Sequence, residues 1–305
     1  MKIGVNLVNF GPAIDVGVLE QWVDVVQSLG FHQIMTSDHI AITPDVAVRF
    51  PAPFYEPLTT LGWLAHATKE ISIGASVIIL PYRSPLETAR AFAGLDQLSG
   101  GRCILGVGVG WAREEYAALG VPFTERGRIA DEYLNVIRKH WTEDISSFTG
   151  QFLSYENVST GPKPLQRPHP PIWIGGASNA AMQRAVRYGD AWHPFKITTA
   201  GLKTKGLPLL ESFAKREKKP TPDICPRIYL RFTDTGLPEN ERVAGEGTIA
   251  QVHHDLAQLH EMGCKTVMLD TYTEHGEAAR NPGIAWNRLR TFSEKIYDLS
   301  RQNIR

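Results

Sequence analysis

The chain has 305 residues, of which 43% are hydrophobic, enough to bury a large core. Thirty-two basic residues balance 32 acidic ones without a long run of either sign, which argues against nucleic acid or an anionic membrane as the main partner. A length near 300 suits two domains or one α/β barrel, and we expect one domain over residues 1–305.

The cysteines and the N-terminal segment bear on the cellular compartment. Cys103, Cys225 and Cys264 are odd in number and far apart, so we expect buried free thiols rather than disulfides or zinc ligands. The first apolar segment, IGVNLVNF, is too interrupted for a signal peptide, and no apolar run approaches the ~20 residues of a membrane helix. These features predict a soluble, cytoplasmic protein.

Eight short apolar runs alternate with segments of helical length. They are KIGVNLVN, QIMTS, ISIGASVIIL, RCILGVGVG, PIWIGG, DAWHPF, RIYLRF and TVMLD. Several are nearly continuous in Val, Ile and Leu, as expected when both faces of a parallel sheet are covered. The alternation predicts an α/β protein with the (β/α)8 TIM-barrel fold, and a doubly wound open sheet is the alternative.

Sequence signals mark the ends of several helices. Gly30 is a typical stop after the first helical segment. Ser84 and Glu87 flank a proline in the pattern of a capping box, which predicts a helix from residue 85 to about residue 99. Thr248 and Gln251 repeat the capping-box spacing before a helix that ends near residue 263.

Two long stretches interrupt the alternation of strands and helices. IAITPDVAVRFPAPFYEP follows the second strand, at residues 40–57, and EDISSFTGQFLSYENVSTGPKPLQRPHPP precedes the fifth, at residues 143–171. Both are rich in proline and aromatic residues and longer than ordinary connections, so we predict that both insertion regions are lids or binding loops.

Glycines are concentrated at the ends of two predicted strands. Gly106, Gly108 and Gly110 alternate with valines, so a regular strand would bare one whole face, which indicates close approach by a flat ring or a phosphorylated tail. The alternative is a packing role, in which neighbouring side chains fill the space beside the three glycines. Gly175-Gly176, followed by Ser178 as a helix N-cap, is typical of a phosphate seat but also of a tight βα turn.

Polar and aromatic residues at other strand ends complete the predicted site. Asp38 and His39 follow the second strand, where a histidine is suited to proton transfer near neutral pH. Phe10, His193 and Lys196 follow the first and sixth strands, where substrate contacts are expected. No H-x-x-x-H, H-x-H or C-x-x-C spacing occurs, so we expect no metal.

An ordered set of segments resembles the luciferase-like monooxygenase superfamily, which includes flavin and deazaflavin oxidoreductases. It runs from SDH through GASVIILPYRSPLETARAFAGLDQLSGGRCILGVGVGWAREEY to PPIWIGGASNAAMQRAVRYGDAW. The run SGGRCILGVGVGW and the later FTERGRIADEYLNVIRKHW most resemble the branch that uses coenzyme F420. The resemblance implies a TIM barrel with insertions, a homodimer, and FMN or F420 bound at the carboxyl-terminal mouth.

The resemblance also implies roles for individual residues. The Ser76-Val77 link, often a cis peptide in this family, would lie under the cofactor ring, with Asp38 and the catalytic His39 at its border. The cofactor's side chain would follow the run Gly108, Val109, Gly110, Trp111, and its phosphate would meet Gly175, Gly176 and Ala177. Phe10, Trp111, His193 and Lys196 would contact the substrate.

The resulting hypothesis is an F420-dependent oxidoreductase that transfers a hydride to or from a small organic substrate. Trp111, with Phe54, Tyr55, Tyr82 and Trp192, predicts an apolar or aromatic substrate pocket. An FMN-dependent monooxygenase and a non-catalytic flavin-binding protein are the alternatives within this superfamily. A sugar-phosphate isomerase or aldolase barrel would need a catalytic carboxylate or Schiff-base lysine, for which only Asp270 and Lys196 qualify.

Overall fold

The computed structural model describes residues 1–273 and 276–305. Eight parallel segments form the main sheet, and all eight predicted strands are confirmed. The barrel segments are β1 (Lys2–Asn6), β2 (Gln33–Thr36), β3 (Ser72–Ala75) with its continuation β4 (Ile78–Ile79), β5 (Cys103–Gly108), β8 (Ile172–Gly175), β9 (Ala191–His193), β10 (Asp223–Ile224) with β11 (Arg227–Tyr229), and β14 (Thr266–Asp270). Between β5 and β8 lie the hairpin strands β6 (Ile145–Thr149) and β7 (Ser154–Ser159). Between β11 and β14 lie the short strands β12 (Arg231–Phe232) and β13 (Glu246–Gly247).

The main sheet is closed into a barrel. Its strand order is β10-β9-β8-β5-β3-β2-β1-β14-β11, with β4 paired to β5. The two end strands, β10 and β11, are consecutive pieces of segment 223–229, which pairs with β9 on one side and β14 on the other. The predicted TIM barrel is therefore correct, and the open-sheet alternative is wrong.

Helices cover the outside of the barrel. They are α1 (Val16–Ser28), α2 (Pro44–Ala47), α3 (Pro57–Ala67), α4 (Pro85–Leu98), α5 (Arg113–Ala118), α6 (Arg126–Thr142), α7 (Asn179–Tyr188), α8 (Thr199–Gly201), α9 (Leu207–Glu217), α10 (Ile249–Glu261), α11 (Glu277–Arg280) and α12 (Pro282–Lys295). Short 3-10 turns lie at Leu80–Tyr82 and Phe123–Glu125, and a π-helical turn, Leu202–Gly206, precedes α9. A last hairpin, β15 (Tyr297–Asp298) with β16 (Asn303–Ile304), ends the fold.

The predicted helix ends are partly confirmed. Gly30 adopts a positive φ of 83° after α1, and Thr248 with Gln251 forms the complete capping box of α10. The capping box at Ser84 is wrong, because the Ser84 side chain makes no capping bond. Ser84 contributes its carbonyl oxygen instead, which accepts hydrogen bonds from the backbone and the hydroxyl of Thr88, each at 3.0 Å.

The second predicted binding loop, segment 143–171, lies at the face of the barrel formed by the amino-terminal ends of the strands. Segment 143–171 leaves α6, forms the hairpin of β6 and β7 and enters the amino-terminal end of β8. Its turn is fixed to α6, because the Glu132 carboxylate accepts hydrogen bonds from the backbone N–H groups of residues 151–153 at 2.7 to 2.9 Å. The prediction failed because the length of a connection does not reveal which face of the barrel it crosses.

A buried carboxylate connects this return segment to the barrel. Asp96, on α4, is fully buried and accepts hydrogen bonds from the backbone N–H groups of Leu165 and Gln166 at 2.8 and 2.9 Å. The Gln166 side-chain amide donates a further bond to it at 2.7 Å. Asp96 therefore satisfies several donors that a buried loop would otherwise leave unpaired.

We expect Asp96→Ala to lower the free energy of unfolding by about 3 kcal/mol, because it strands two backbone donors away from water. Urea denaturation measures the change. Asp24→Ala, at an exposed position of α1, is the matched control and should stay within about 0.5 kcal/mol of the unsubstituted protein. Equal stability of the two variants would contradict the anchoring role.

Candidate active site

A cavity of about 920 Å³ opens at the carboxyl-terminal ends of the barrel strands. Loops after β1, β2, β5, β8, β9 and β14 contribute to its wall, which is the expected place for function in this architecture. Its lining consists of Pro12, Ser37, Asp38, His39, Ala47, Val48, Arg49, Phe50, Pro51, Ser76, Val77, Ile79, Gly108, Val109, Gly110, Trp111, Gly175, Gly176, His193, Phe195, Lys196, Arg227, Tyr229, Asp270, Tyr272, Thr273, Gly276 and Arg280.

His39, the predicted cofactor contacts from Asp38 to Gly176, and the predicted substrate contacts Trp111, His193 and Lys196 lie in this lining, whereas Phe10 and Ala177 do not. Phe10 is buried behind the wall, where its ring packs edge-on against Phe50 and Tyr272 at centroid distances of 5.2 and 4.7 Å. Ala177 is exposed outside the cavity. A position at the end of a strand does not fix how far a side chain or turn reaches toward the barrel axis, which is why these two residues lie outside the lining.

Of the aromatic residues predicted to form a substrate pocket, Trp111 lines the cavity and is 40% exposed. The others lie outside the lining, namely Phe54, Tyr55, Tyr82 and Trp192. The aromatic wall is formed instead by Phe50, Phe195, Tyr229 and Tyr272. Phe50, Phe195 and Tyr272 belong to loops whose course toward the cavity was not evident in the sequence, and Tyr229 is the last residue of β11.

The bare glycine face of β5 is occupied by the neighbouring strand. A Cβ atom on Gly106 would lie 1.9 Å from the Ala75 carbonyl oxygen, and one on Gly108 would lie 2.6 Å from a Val77 methyl group. Gly175, on the opposite side, would clash with Val77 at 2.9 Å. The glycines therefore make room for the segment that carries Val77, which agrees with the packing role given above as the alternative. Gly108 also borders the cavity.

The alternation of glycines also ends earlier than predicted. β5 stops at Gly108, and Gly110 adopts a left-handed conformation with φ of 64°. A Cβ atom there would contact a methyl group of Ile79 at 2.8 Å. Gly110 is thus part of the turn that leads to Trp111, not the third residue of a bare face.

The Ser76-Val77 peptide bond is cis, as the resemblance implied. The Arg227 guanidinium donates a hydrogen bond to the Ser76 carbonyl at 2.5 Å and a longer one to its hydroxyl at 3.3 Å. The same guanidinium pairs with Asp270 at 2.6 Å. The last two barrel strands in chain order therefore hold the bulge beside the cavity.

His193 completes this hydrogen-bonded chain. Its Nε2 lies 2.7 Å from the Ser76 hydroxyl, and its Nδ1 contacts the Cys225 carbonyl. Burial lowers the pKa of His193 to about 4, and the nearby positive charge of Arg227 acts in the same direction. A neutral ring with its proton on Nδ1 follows, so Nδ1 donates to the carbonyl and Nε2 accepts from the serine hydroxyl.

The Asp38 carboxylate is occupied by donors from the protein itself. Arg83 binds it with both nitrogens, at 2.6 and 2.8 Å, and the backbone N–H of Ile79 donates at 2.8 Å. Arg83 in turn pairs with Glu56, the N-cap residue of α3. Asp38 thus connects the end of β2 to β4, and its charge is already balanced before any ligand enters.

His39 has a buried carboxylate behind it and the cavity in front. Its Nδ1 lies 2.7 Å from Glu115, which is fully buried on α5 and accepts further hydrogen bonds from the backbone N–H of Ile40 and the Tyr82 hydroxyl at 2.7 and 2.9 Å. Burial alone would raise the pKa of Glu115, but the hydrogen bond and charge of His39, with the Ile40 and Tyr82 bonds, outweigh it and lower the pKa.

The orientation of His39 follows from this contact. An ionised Glu115 accepts the Nδ1 proton, which leaves Nε2 as the other functional atom of the ring. Nε2 has no hydrogen-bond partner within residues 1–273 and 276–305. It is nevertheless accessible, whereas both ring nitrogens of His140 are buried without a partner among the same residues. His39 therefore presents one accessible nitrogen to the cavity.

Sequence reasoning missed Glu115, Arg227 and the role of Asp270. Glu115 lies in WAREEY, directly after the glycine run, but nothing in the sequence distinguishes it from the exposed Glu114. Arg227 is the first residue of the apolar strand β11, and nothing in the sequence distinguishes it from Arg231, which follows that strand. The structure pairs Arg231 with Glu246 at 2.8 Å instead.

The start of α7 borders the cavity at Gly175 and Gly176. Gly176 has a φ of 106°, and the Ser178 side chain caps the helix by accepting from the Ala181 backbone N–H. The two readings of this Gly-Gly sequence, a tight turn and a seat for an anion, are compatible, because the turn at the edge of the cavity leads into the start of the helix, where the first backbone N–H groups have no partner within the helix.

Three further features concern the part of the chain that the structure describes. It contains no group of three or more His, Cys, Asp or Glu side chains placed to hold a metal ion. None of its helices has the length and apolar character needed to span a membrane. Cys103, Cys225 and Cys264 are free and buried, as predicted.

Comparisons with known proteins place this geometry in context. The chain is 34% identical to the FMNH2-dependent dimethylsulfone monooxygenase of Pseudomonas putida over 166 residues, which cover 52% of this chain and 46% of that protein. The chain thus spans about half the length of that curated relative. An uncharacterised protein of Mycobacterium bovis is 30% identical over 60% of this chain and 67% of its own length.

Solved structures share the fold at lower identity. An F420-dependent secondary alcohol dehydrogenase in complex with an F420–acetone adduct superposes with a TM-score of 0.75, 18% identity, and coverage of 95% of this chain and 99% of that chain. A type II Baeyer-Villiger monooxygenase from Pseudomonas putida with FMN gives 0.74 at 14% identity, with coverage of 96% and 97%.

The family assignment rests on a match over most of the chain. The sequence profile of the family described as luciferase-like monooxygenase matches residues 1–236, which include the cis peptide, His39 and the glycine-rich strand ends. The protein belongs to the luciferase-like monooxygenase family.

Proposed function

We propose that the protein is an oxidoreductase that uses coenzyme F420 to transfer a hydride to or from a small organic substrate. The observation that carries this proposal is the His39–Glu115 pair, which presents Nε2 to the cavity that the cis Ser76-Val77 bulge also lines. Interconversion of an alcohol and a carbonyl moves a proton together with a hydride, so a proton-handling side chain beside a redox cofactor suits that reaction.

The cavity fits a tricyclic ring with a phosphorylated side chain. Its volume of about 920 Å³ lies within the range of ~300–1,000 Å³ that cofactor and ligand sites occupy. The ring is assigned to the wall formed by Ser76 and Val77, which lies between glycines and presents no charged group. The phosphate is assigned to Gly175 and Gly176, where helical N–H groups favour an anion.

The cofactor, when bound, supplies a hydride acceptor or donor at C5 of its ring. The protein's own contribution is to orient the ring and the substrate and to handle the proton. Nε2 of His39 takes up the proton of a substrate hydroxyl, or returns it in the reverse direction, while Glu115 holds the Nδ1 proton in place. Phe50 and Trp111, whose rings lie 4.9 and 5.9 Å from the His39 ring, limit the access of water.

A second candidate is an FMN-dependent monooxygenase that uses the same cavity. The 34% identity to an FMNH2-dependent dimethylsulfone monooxygenase supports it, whereas the resemblance of SGGRCILGVGVGW to the F420-using branch supports the first candidate. A non-catalytic flavin-binding protein would need the cavity but not the His39–Glu115 pair. Cofactor affinity and turnover therefore separate the three proposals.

Cofactor choice is measured by titrating the purified protein separately with F420 and with FMN and following fluorescence. We expect F420 to bind with a Kd at least about tenfold lower than that of FMN. Tight FMN binding with negligible F420 binding would replace the first candidate by the second. Absence of binding of either cofactor would reject both.

The wall around Val77 offers a test of where the ring binds. Gly108→Ala places a methyl group 2.6 Å from a methyl group of the stiff, β-branched Val77, and we expect cofactor affinity to fall by at least about tenfold. Gly94→Ala is the control, since a Cβ atom there meets nothing within 4 Å. Unchanged affinity in the folded Gly108→Ala variant would place the ring elsewhere.

The proton-handling role is tested with His39→Ala and Glu115→Gln. We expect kcat to fall by about 100-fold or more in the first variant and about tenfold in the second, with cofactor affinity retained. The assay follows F420 absorbance with the alcohols and carbonyl compounds that the unsubstituted protein converts, and the exposed His66→Ala is the control. Undiminished kcat in His39→Ala would refute the role, and a protein that binds cofactor but converts nothing would be a binding protein.

A further inference from the structure

The side of the cavity around β1 carries positive charge that no described acid balances. Among the described residues on this side, the lining contains the arginines Arg49, Arg227 and Arg280 and the acids Asp38 and Asp270. Both acids already form ion pairs: Asp38 with Arg83, which lies outside the lining, and Asp270 with Arg227. Arg49 and Arg280 have no ion-pair partner among residues 1–273 and 276–305, and both are exposed at the mouth.

These two arginines belong to loops that are joined to each other. Arg49 lies in the loop after β2, and Arg280 ends α11 after β14, so the loops flank β1 on its two sides. The Tyr272 hydroxyl donates a hydrogen bond to the Arg49 carbonyl, and the Ala13 backbone N–H donates to the carbonyl of Ala279 at 3.2 Å. The arginines therefore sit on one connected wall.

This wall lies across the barrel from the proposed phosphate seat. The strand order places β8, which leads to Gly175 and Gly176, four strands from β1 in either direction around the closed sheet. A cofactor whose phosphate meets the start of α7 therefore leaves Arg49 and Arg280 on the side of the cavity that also carries His39. The charge is in the part of the site where a substrate would react.

The surroundings of the arginines are aromatic. The Arg49 guanidinium lies over the Trp111 ring at 4.9 Å, and Phe50 packs beside Trp111 and Tyr272 at centroid distances of 6.5 and 5.9 Å. A guanidinium on an apolar surface is weakly hydrated and has a planar set of donors that matches a carboxylate or sulfonate. The wall combines an anion-binding end with an apolar body.

We propose that Arg49 and Arg280 bind the anionic group of the substrate, an organic carboxylate or sulfonate whose apolar body packs against Phe50, Trp111 and Tyr272. The inference rests on the proposed function for its placement of the cofactor, and it narrows the predicted apolar or aromatic substrate to one that carries a negative charge. It also gives Arg49 and Arg280 a role in specificity that is separate from proton transfer at His39.

The test compares anions with neutral molecules of nearly the same shape. Phenylacetate is paired with phenylacetamide, and benzenesulfonate with benzenesulfonamide, and binding to the protein is measured by calorimetry with and without bound cofactor. We expect each anion to bind with a Kd at least about tenfold lower than its amide. The double variant Arg49→Gln/Arg280→Gln should lose the preference, while each single variant loses about half of it on the free-energy scale.

Arg216→Gln is the matched control, because Arg216 is also exposed and also lies over an aromatic ring, Phe213, on the outer helix α9. Equal or undetectable binding of anions and amides, or a preference that survives in the double variant, would overturn the inference. So would a loss of cofactor affinity in the double variant, since the arginines would then serve the cofactor's own anionic tail. A persistent anion preference in a protein that binds neither F420 nor FMN would reject the proposed function and leave this inference standing.

Discussion

The site depends on one close approach between neighbouring strands. The chain from Ala75 to Val77 comes so near β5 and β8 that a side chain at Gly106, Gly108 or Gly175 would collide with it. Only glycine fits at these places, and the bulge in turn gives the cavity its apolar floor. Replacing any of these glycines moves the surface on which the cofactor is proposed to lie.

Around this floor, charged groups are arranged so that few are left for the ligand to compensate. Arg83 neutralises Asp38, Arg227 neutralises Asp270, and Glu115 faces His39. Each pair spans two different strands or loops, so the same contacts that remove charge from the wall also fix its shape. Because burial lowers the pKa of His193 to about 4, the ring that contacts Ser76 stays neutral near neutral pH.

The sequence predicted the barrel well because its signals are local. Apolar runs of strand length, the stop at Gly30 and the capping box at Thr248 each depend on a few adjacent residues, and the structure contains them all. The strand-end residues of the cavity followed from the rule that function lies at the carboxyl-terminal ends of barrel strands, and the cis peptide came from the resemblance to a family. What the sequence did not reveal was three-dimensional: the face of the barrel that segment 143–171 crosses, the depth at which Phe10 lies, and the buried partner of His39. Glu115 is separated from His39 by 76 positions in the chain, so no pattern of neighbouring residues could predict their contact.

The boundary of the family match has a consequence for how such proteins diverge. The shared profile ends at residue 236, yet Asp270, Tyr272, Thr273, Gly276 and Arg280 form part of the cavity wall. The matched portion therefore contains the floor and the histidine, whereas the late segment supplies the wall that includes Arg280, on the side of the cavity that also carries His39. A change in that segment would alter the shape and charge of this wall and leave the cis peptide, His39 and the glycine-rich strand ends in place, so membership in the family identifies those features more readily than the molecule that the cavity accepts.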